Sequence, residues 1–279
     1  MFESVLYPTD FSDVSLHALR HCIPELIKHG IKKLHLVHVI DITVAEFEAF
    51  ELEEIYRERL EEIARELQGK GAAIESEVRI GIPSIEIASV AEEKGIDLIV
   101  VPSAGENIWR IMFVGSTASN LVRATKRPVL LLKYMKKEEG GFELSGSCEE
   151  IFKRPLIALD FSECSIKILN TVRKFQEHVE RAILLHSVDY GKIDELENNI
   201  ERAKENLKKS SKGLNVPCEE EVTVGSASQA IIGMSLAKNA TLIVIGKKGR
   251  SVIRDLILGS TAERVMRDSK LPVLLVPCE

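Results

Sequence analysis

TLIVIGKKGRSVIRDLILGST, residues 241–261, contains an apolar run, a glycine-rich turn and the start of a helical pattern. The run 242–245 is rich in β-branched residues and lacks strict alternation, which is typical of a parallel strand covered on both faces. The run is followed by glycines, positively charged residues and hydroxyl residues, among them Gly246, Lys247, Lys248, Gly249, Arg250, Gly259, Ser260 and Thr261. The stretch therefore predicts a strand, a loop and a helix in that order, which is the repeating unit of an α/β fold.

An earlier part of the chain repeats this stretch. Aligned without a gap, residues 81–133 and 225–277 share 19 identities in 53 positions. YPTDFSDVS at 7–15 likewise returns as ALDFSECS at 158–165, and HVID at 38–41 returns as HSVD at 186–189. Such self-similarity indicates that a whole domain has been duplicated. We predict domains at 1–134 and 153–279, joined by a linker at 135–152 that is rich in Gly, Ser, Lys and Glu.

Each copy alternates apolar runs with amphipathic segments. In the second copy the runs are 155–159, 182–186, 220–224, 241–246 and 272–276, and the helical segments are 162–176, 192–212, 226–239 and 261–269. The second helix of the first copy is longer, over 44–68. This order predicts an α/β protein with two tandem doubly wound five-stranded parallel-sheet domains, Rossmann-like, with strand order 3-2-1-4-5. Such sheets bind ligands beyond the carboxyl ends of strands 1 and 4, where the order reverses.

The composition narrows the class of protein. A net charge of −6 and an isoelectric point of about 5.8 argue against broad binding of nucleic acid. No apolar stretch reaches the roughly 20 residues that span a bilayer, and the N-terminal MFESVLYPTD lacks the pattern of a signal peptide. The five cysteines are scattered and form no CxxC pair, so we predict reduced thiols and a cytoplasmic protein without a membrane partner.

The residues that follow strands 1 and 4 of the second copy are suited to a phosphate and a sugar. Glycines let backbone N–H groups approach a phosphate, and Ser260 is placed to cap a helix whose N-terminus attracts anions. Lys247, Lys248 and Arg250 add positive charge, and Asp160 can accept hydrogen bonds from a sugar hydroxyl. A purely structural interpretation stays open, because the glycines can shape turns, the STAE stretch is a capping box and Asp160 can start a helix.

Together, G-x2-G-x9-G-S-T after the fourth strand and D-F-S after the first resemble the universal stress protein family, over nearly the whole chain. The resemblance implies binding of ATP or another adenine nucleotide, with Mg²⁺ accompanying a triphosphate. It implies that Asp160 lies near the ribose, that the Ser187 backbone contacts the adenine, and that the glycines and the Ser-Thr pair hold the phosphates. One departure is Ala158, where the family has proline. The nucleotide-binding residues predicted in the second copy are Asp160, Ser187, Gly246, Lys247, Lys248, Gly249, Arg250, Gly259, Ser260 and Thr261.

The first copy keeps only part of this pattern. Its matching positions are Pro8, Asp10, Val39, Gly105, Gly115, Ser116 and Thr117. Pro102 stands where the first glycine should be, and proline has no N–H to donate. The loop 102–106 has no Lys or Arg, whereas 246–250 has three positive charges. Because a hydrogen bond to a charged group contributes about 1.5–3 kcal/mol, we hypothesise that the first site binds nucleotide weakly, prefers fewer phosphates or is empty.

The sequence offers little support for catalysis. It contains no Walker A motif, no GxSxG elbow, no HExxH pair and no convincing Ser/His/Asp set, so no catalytic residue and no metal site are predicted. His38 and His186 recur at the same position of the two copies, which favours a packing role at a strand end. The resemblance implies a regulatory or stress-response protein for which bound nucleotide is a signal. Two alternatives stay open: a slow ATPase or nucleotidyl enzyme that uses the same loop, and an interaction module without nucleotide.

The resemblance also implies self-association through the fifth strand, an edge that otherwise invites pairing. The segments 128–133 and 272–276 are therefore expected to pair within the chain as a pseudo-twofold unit, and a homodimer is expected as well. The sequence does not identify a protein partner.

Overall fold

The computed structural model describes residues 1–45, 49–103, 116–136, 141–189, 191–249 and 258–278. The chain divides into two compact units, Met1–Glu149 and Glu150–Glu279. Each unit contains five parallel strands connected by helices, so the α/β class predicted from the sequence is confirmed. None of the described helices is both long enough and apolar enough to cross a membrane.

The first unit alternates strands and helices along the chain. Its elements are β1 (Ser4–Pro8), α1 (Asp13–His21), α2 (Ile23–Lys28), β2 (Lys33–Asp41), α3 (Ile42–Ala45), α4 (Ala49–Leu67), β3 (Ala73–Gly81), α5 (Pro83–Glu93), β4 (Leu98–Pro102), α6 (Ser116–Ala124), β5 (Val129–Leu132), β6 (Tyr134–Lys136) and β7 (Phe142–Leu144). The main sheet has the order β3-β2-β1-β4-β5, with every neighbouring pair parallel. The helix predicted over 44–68 corresponds largely to α4, and residues 46–48 before it lie outside the described residues.

The second unit repeats this arrangement. Its elements are β8 (Pro155–Ala158), α7 (Glu163–Arg173), β9 (Ala182–Val188), α8 (Leu196–Ser211), β10 (Cys218–Val224), α9 (Ala227–Ala237), β11 (Leu242–Gly246), α10 (Ser260–Asp268) and β12 (Val273–Val276). Short 3₁₀ helices, Gln176–His178 and Ile193–Glu195, precede β9 and α8. The parallel sheet has the order β10-β9-β8-β11-β12, so β8 and β11 are the neighbours at which the strand order reverses.

Burial explains why the central strands read as continuous apolar runs. Every residue of β8, β9 and β11 is buried, because helices cover both faces of a doubly wound sheet. The outer strand β10 is mostly half-buried. Polar groups are therefore excluded from the middle of the sheet and gather where the strands end, which is where a ligand site can form.

Four of the five cysteines are paired, so the prediction of reduced thiols was wrong. Cys22 is bonded to Cys148 in the first unit, Cys164 is bonded to Cys278 in the second, and Cys218 is a free thiol. The partners are 126 and 114 residues apart in sequence. The prediction rested on local spacing, whereas bonding depends on which distant Cβ atoms the fold brings together.

The segment predicted as a linker contains more structure than its sequence indicated. β6 and β7 pair as a short antiparallel hairpin, and the N–H of Ser145 donates to the carbonyl of Lys133 at 2.7 Å. Cys148 is held by its disulfide, and Phe152 packs against Phe175 with ring centroids 4.7 Å apart. The boundary between the two units falls after residue 149, inside the predicted linker.

Candidate functional site

A cavity of about 490 Å³ opens at the carboxyl ends of the strands in the second unit. It lies at the ends of β8 and β11 and reaches the starts of α9 and α10. Small-molecule sites typically enclose about 300–1,000 Å³, so its volume suits a ligand of nucleotide size. The predicted residues that line it are Asp160, Ser187, Gly246, Lys248, Gly249, Gly259, Ser260 and Thr261.

Asp160 contributes a carboxylate with one oxygen engaged and one without a partner in the described parts of the chain. Its Oδ1 accepts hydrogen bonds from the backbone N–H of Ser162 at 3.0 Å and from the hydroxyls of Ser162 and Ser165 at 2.6 and 3.0 Å. Its Oδ2 is buried and has no hydrogen-bond partner among the described residues. Because an unsatisfied buried acceptor costs about 1–3 kcal/mol, Oδ2 is suited to accept a hydrogen bond from a ligand.

The glycines of the loop have different reasons to be glycine. A Cβ on Gly246 would collide with the Sγ of Cys164, so packing alone requires glycine there. A Cβ on Gly249 or Gly259 would meet its nearest neighbour at 3.4 Å, which is ordinary contact. At Gly249 that neighbour is Oδ2 of Asp160. A side chain at Gly249 would therefore fit the backbone but would occupy space next to the acceptor oxygen.

The N-terminus of α10 borders the cavity. Its N-cap residue is Gly259, with φ −64° and ψ 143°, and no side chain within the described ranges bonds to this end. The prediction that Ser260 caps the helix in a capping box was therefore wrong. The helix already includes Ser260, and the carbonyl of Gly259 accepts the N–H of Glu263 at 2.9 Å. Uncapped N–H groups in the first turn are suited to bind an anion.

The remaining wall of the cavity is largely apolar. Its apolar lining residues are Ala158, Leu159, Ile168, Leu185, Ala227, Ile231, Ile245 and Ala262. Such a wall suits the faces of an aromatic base. The sequence-based site missed Asp189, which lines the cavity just after β9. The repeat of HVID as HSVD contained this aspartate and was the available signal.

Not every predicted residue is placed at the cavity. Lys247 is 6% exposed and is not among the lining residues, whereas the half-buried Lys248 lines the cavity. Arg250, Gly105 and Gly115 lie outside the described residues. Of the three positive charges predicted for the loop, one is therefore placed at the cavity.

The turn that follows β8 has an unusual backbone. Phe161 has φ 61°, a left-handed conformation that costs free energy for a residue other than glycine. Its ring packs on His186 with centroids 4.4 Å apart, and the Nδ1–H of His186 donates to the carbonyl of Leu159 at 2.7 Å. These contacts hold the end of β8 against β9 and fix the position of Asp160. His186 thus links the ends of β8 and β9.

The equivalent turn of the first unit is covered by side chains of α4. Phe11 has φ 59° and packs on Tyr56, with centroids 5.6 Å apart, and the guanidinium of Arg59 lies 4.5 Å above the Phe11 ring. His38 packs on Tyr56 at 4.4 Å, and its Nδ1–H donates to the Thr9 carbonyl at 2.8 Å. Burial lowers the pKa of His38, although the hydrogen bond to Thr9 raises it. The ring is therefore neutral near pH 7.

The other predicted residues of the first unit lie at the expected strand and helix ends. Asp10 is exposed, and its Oδ1 accepts the backbone N–H and hydroxyl of Ser12 at 3.0 and 2.7 Å. Pro8 ends β1, Val39 lies in β2, and Ser116 and Thr117 begin α6 with exposed side chains. Among the described residues of the whole chain, no group of three or more His, Cys, Asp or Glu is arranged to hold a metal ion.

Comparison with known proteins identifies the family. Residues 1–133 and 152–277 both match the sequence profile of the Universal stress protein family. The chain belongs to the universal stress protein family. The two matched segments lie in the two compact units, so this protein contains two universal stress protein domains in tandem.

Individual family members resemble one half of the chain or the whole of it. Universal stress protein MJ0577 from Methanocaldococcus jannaschii is 30% identical over 156 residues, which are 48% of this chain and 96% of that relative. Universal stress protein MJ0531 from the same organism is 30% identical over 147 residues, 50% of this chain and 86% of the relative. A solved universal stress protein from Archaeoglobus fulgidus covers 98% of this chain and 96% of its own, with a TM-score of 0.73 and 23% identity. The last comparison establishes a shared fold.

Proposed function

We propose that the second unit binds an adenine nucleotide, ATP or a related one, and that the bound nucleotide serves as a regulatory signal. The observation that carries the proposal is the convergence of three groups on one cavity. They are the buried Oδ2 of Asp160, the glycine backbone at Gly249 and Gly259, and the N-terminus of α10, and within the described ranges neither Oδ2 nor this helix end is bonded by a side chain. The resemblance of the Asp160, Gly249 and Gly259 motifs to the universal stress protein family implies the same ligand.

The chemistry of the wall fits the parts of a nucleotide. Leu185, Ile231 and Ile245 offer apolar surface to the base. Asp160 Oδ2 accepts a hydrogen bond from a ribose hydroxyl, which removes the cost of its burial. The first-turn N–H groups of α10 and the ammonium of Lys248 offer positive charge to the phosphates.

A magnesium ion fits this site only together with a triphosphate. Mg²⁺ usually keeps several waters and is bound by one or two carboxylates plus the phosphates of the substrate. Asp189 lines the cavity besides Asp160, whose free oxygen is assigned to the ribose. When bound, the ion would neutralise phosphate charge, and Asp189 would be the side chain to orient it.

The variant that best tests binding is Gly259→Asp, with Gly259→Asn as its matched control. The φ and ψ of Gly259 are open to other residues, a Cβ meets ordinary contacts, and both side chains favour an N-cap. Only aspartate places a negative charge where a phosphate would lie. We expect native mass spectrometry and calorimetry to show ATP on the wild type, near-complete loss in Gly259→Asp and a smaller effect in Gly259→Asn.

Two results would favour the alternatives. A wild-type chain that carries no nucleotide and takes up none on addition would support the nucleotide-free interaction module. Steady ATP turnover that Asp160→Ala abolishes while binding persists would support a slow ATPase or nucleotidyl enzyme. Loss of binding in both Gly259 variants alike would indicate that occupation of the helix N-terminus by a side chain, rather than its charge, governs this position.

We also propose that the first unit binds nucleotide more weakly than the second. Pro102 removes an N–H donor at the end of β4, and Phe11 is covered by Tyr56 and Arg59. Calorimetry with ATP is expected to show one tight site per chain. Two sites of equal affinity would contradict the proposal.

Two further proposals concern the compartment in which the protein acts and its oligomeric state. We propose that it acts in the cytoplasm, where disulfides are usually redox-responsive rather than permanent. We also propose that the chain forms a homodimer, as the family resemblance implies. Size-exclusion chromatography with light scattering tests the dimer, and a monomeric mass at working concentration would exclude it.

A further inference from the structure

A disulfide lies directly behind the glycine loop of the second-unit cavity. It joins Cys164, in the first turn of α7, to Cys278, two residues beyond β12. Cys164 is 4% exposed and Cys278 is half-buried. Neither cysteine is among the residues that line the cavity. The bridge therefore supports the wall of the site and does not form its inner surface.

The two sulfur atoms fill the space behind Gly246 and Lys248. A Cβ on Gly246 would collide with Sγ of Cys164 and would lie 3.1 Å from Sγ of Cys278. The Sγ of Cys278 also lies 3.5 Å from the carbonyl oxygen of Lys248. Gly246 and Lys248 both line the cavity, so the bridge contacts the back of the wall proposed to hold phosphates.

The same bridge is close in the chain to the residues that hold Asp160. Cys164 adjoins Ser165, whose hydroxyl donates to Oδ1 of Asp160 at 3.0 Å. The Ser165 oxygen also accepts the backbone N–H of Phe161 at 2.9 Å. The disulfide thus ties the start of α7, which positions the carboxylate, to the strand end that backs the glycine loop.

We propose that the Cys164–Cys278 bridge is a redox control site for the cavity, and that the oxidised protein binds nucleotide more tightly than the reduced protein. The inference rests on the nucleotide binding proposed above. Two thiols need more room than a bonded pair of sulfurs, because atoms that are not bonded repel each other at bonding distance. The space behind Gly246 has no room even for a Cβ, so separation of the two sulfurs presses on the glycine loop, on the start of α7 or on the segment after β12.

The bridge is suited to reduction by a dithiol. A thiolate of the reductant attacks Sγ of Cys278, the more exposed sulfur, and the bond to Cys164 breaks. Cys164 leaves as a thiolate at the N-terminus of α7, where the helix dipole stabilises negative charge. The second thiol of the reductant then displaces Cys278. Two electrons pass to the protein, both cysteines end as thiols, and the two protons lost by the dithiol balance those gained.

The experiment compares ATP affinity of the full chain in its oxidised form and after reduction with dithiothreitol. Mass spectrometry of alkylated peptides establishes which cysteines are bonded in each sample. We expect reduction to weaken ATP binding about tenfold, a typical coupling between two sites. The variant Cys22→Ser/Cys148→Ser lacks the first-unit bridge and should keep the full redox response. The variant Cys164→Ser/Cys278→Ser should show none.

The outcomes separate the inference from the function on which it rests. Equal ATP affinity in the oxidised and reduced wild type would overturn redox control and leave nucleotide binding intact. Absence of ATP binding in the oxidised protein would overturn both. Peptides that show Cys164 and Cys278 unbonded after mild oxidation would overturn the inference whatever the affinity.

A second measurement needs no variant. Coupling between two equilibria is reciprocal, so ATP must stabilise the Cys164–Cys278 bridge against reduction by the same factor by which the bridge strengthens ATP binding. In a glutathione redox buffer, saturating ATP is expected to shift the reduction equilibrium of this pair about tenfold. The Cys22–Cys148 pair in the same sample serves as the internal control. An ATP effect of equal size on both pairs would contradict a local mechanism.

Discussion

Asp160 and Asp10 occupy the same position of the two copies but have different surroundings. Asp160 lines a cavity with a buried oxygen that no described residue hydrogen-bonds, whereas Asp10 is exposed next to a turn covered by α4. Asp160→Asn keeps the size and removes the charge. We expect it to weaken ATP binding about tenfold or more, since a hydrogen bond to a charged group contributes about 1.5–3 kcal/mol.

Asp10→Asn is the matched control for this prediction. It changes the same motif in the other unit, and we expect the tight ATP site to be unaffected. Calorimetric titration of both variants measures the difference. If the two substitutions weakened ATP binding equally, the assignment of the tight site to the second unit would be wrong.

His38 predicts a dependence of stability on pH. Below about pH 6.5 the imidazole of the unfolded chain takes up a proton. Folded His38 stays neutral to a lower pH, because burial lowers its pKa and the Arg59 charge adds to this, although the Thr9 bond and Asp10 oppose it. Acidification through this window therefore favours the unfolded state, and the stability contribution is complete only above pH 6.5.

His38→Gln tests this effect, since glutamine supplies an N–H but does not titrate. We expect the wild type to lose more free energy of unfolding than the variant between pH 7 and pH 5. Denaturant unfolding at the two pH values measures both losses. Identical losses would show that His38 does not contribute to the acid sensitivity.

At the scale of elements, the start of α10 gives a prediction about backbone donors. Ser260 is the first helical residue, and Gly259 before it has the extended backbone that a following proline requires. Proline is tolerated at this position but lacks the N–H. Ser260→Pro is therefore expected to keep the helix and weaken ATP binding about tenfold, whereas Ser260→Ala removes only the hydroxyl.

Circular dichroism tests whether Ser260→Pro and Ser260→Ala keep the helix, and calorimetry measures their ATP affinity. A loss of affinity in Ser260→Pro beyond that in Ser260→Ala measures the contribution of the N–H group. Equal affinities of the two variants would mean that the N–H of Ser260 does not bind the phosphates, and this donor would have to be removed from the proposed site.

The elements also show where prediction from sequence succeeds. The apolar runs at 155–159 and 241–246 became β8 and β11 within a residue at each end, because burial on both faces demands such runs. The start of α10 was predicted one residue late, and the capping box failed with it. A helix boundary depends on which residue first adopts helical backbone angles. Glycine and serine are both accepted at the N-cap, so the sequence does not decide between Gly259 and Ser260.

The whole molecule contains two units, each with its own core and its own disulfide. We therefore expect two transitions in differential scanning calorimetry of the oxidised chain. ATP at about 100 times its Kd should stabilise the second unit by about 2.7 kcal/mol and leave the first unchanged. Cys22→Ser/Cys148→Ser identifies the first-unit transition, since loss of a disulfide lowers it. A shift of both transitions by ATP would contradict the prediction.

The duplication, the α/β class and the positions of Asp160, Gly249 and Gly259 relative to the strands could all be predicted from the sequence. These follow from periodicity and spacing, which local chemistry imposes along the chain. Three other features became evident in the folded chain: Lys247 is buried while Lys248 lines the cavity, packing against Cys164 requires Gly246, and four cysteines are bonded. Each of these depends on contacts between residues far apart in sequence, and no local pattern records which distant side chains the fold brings together.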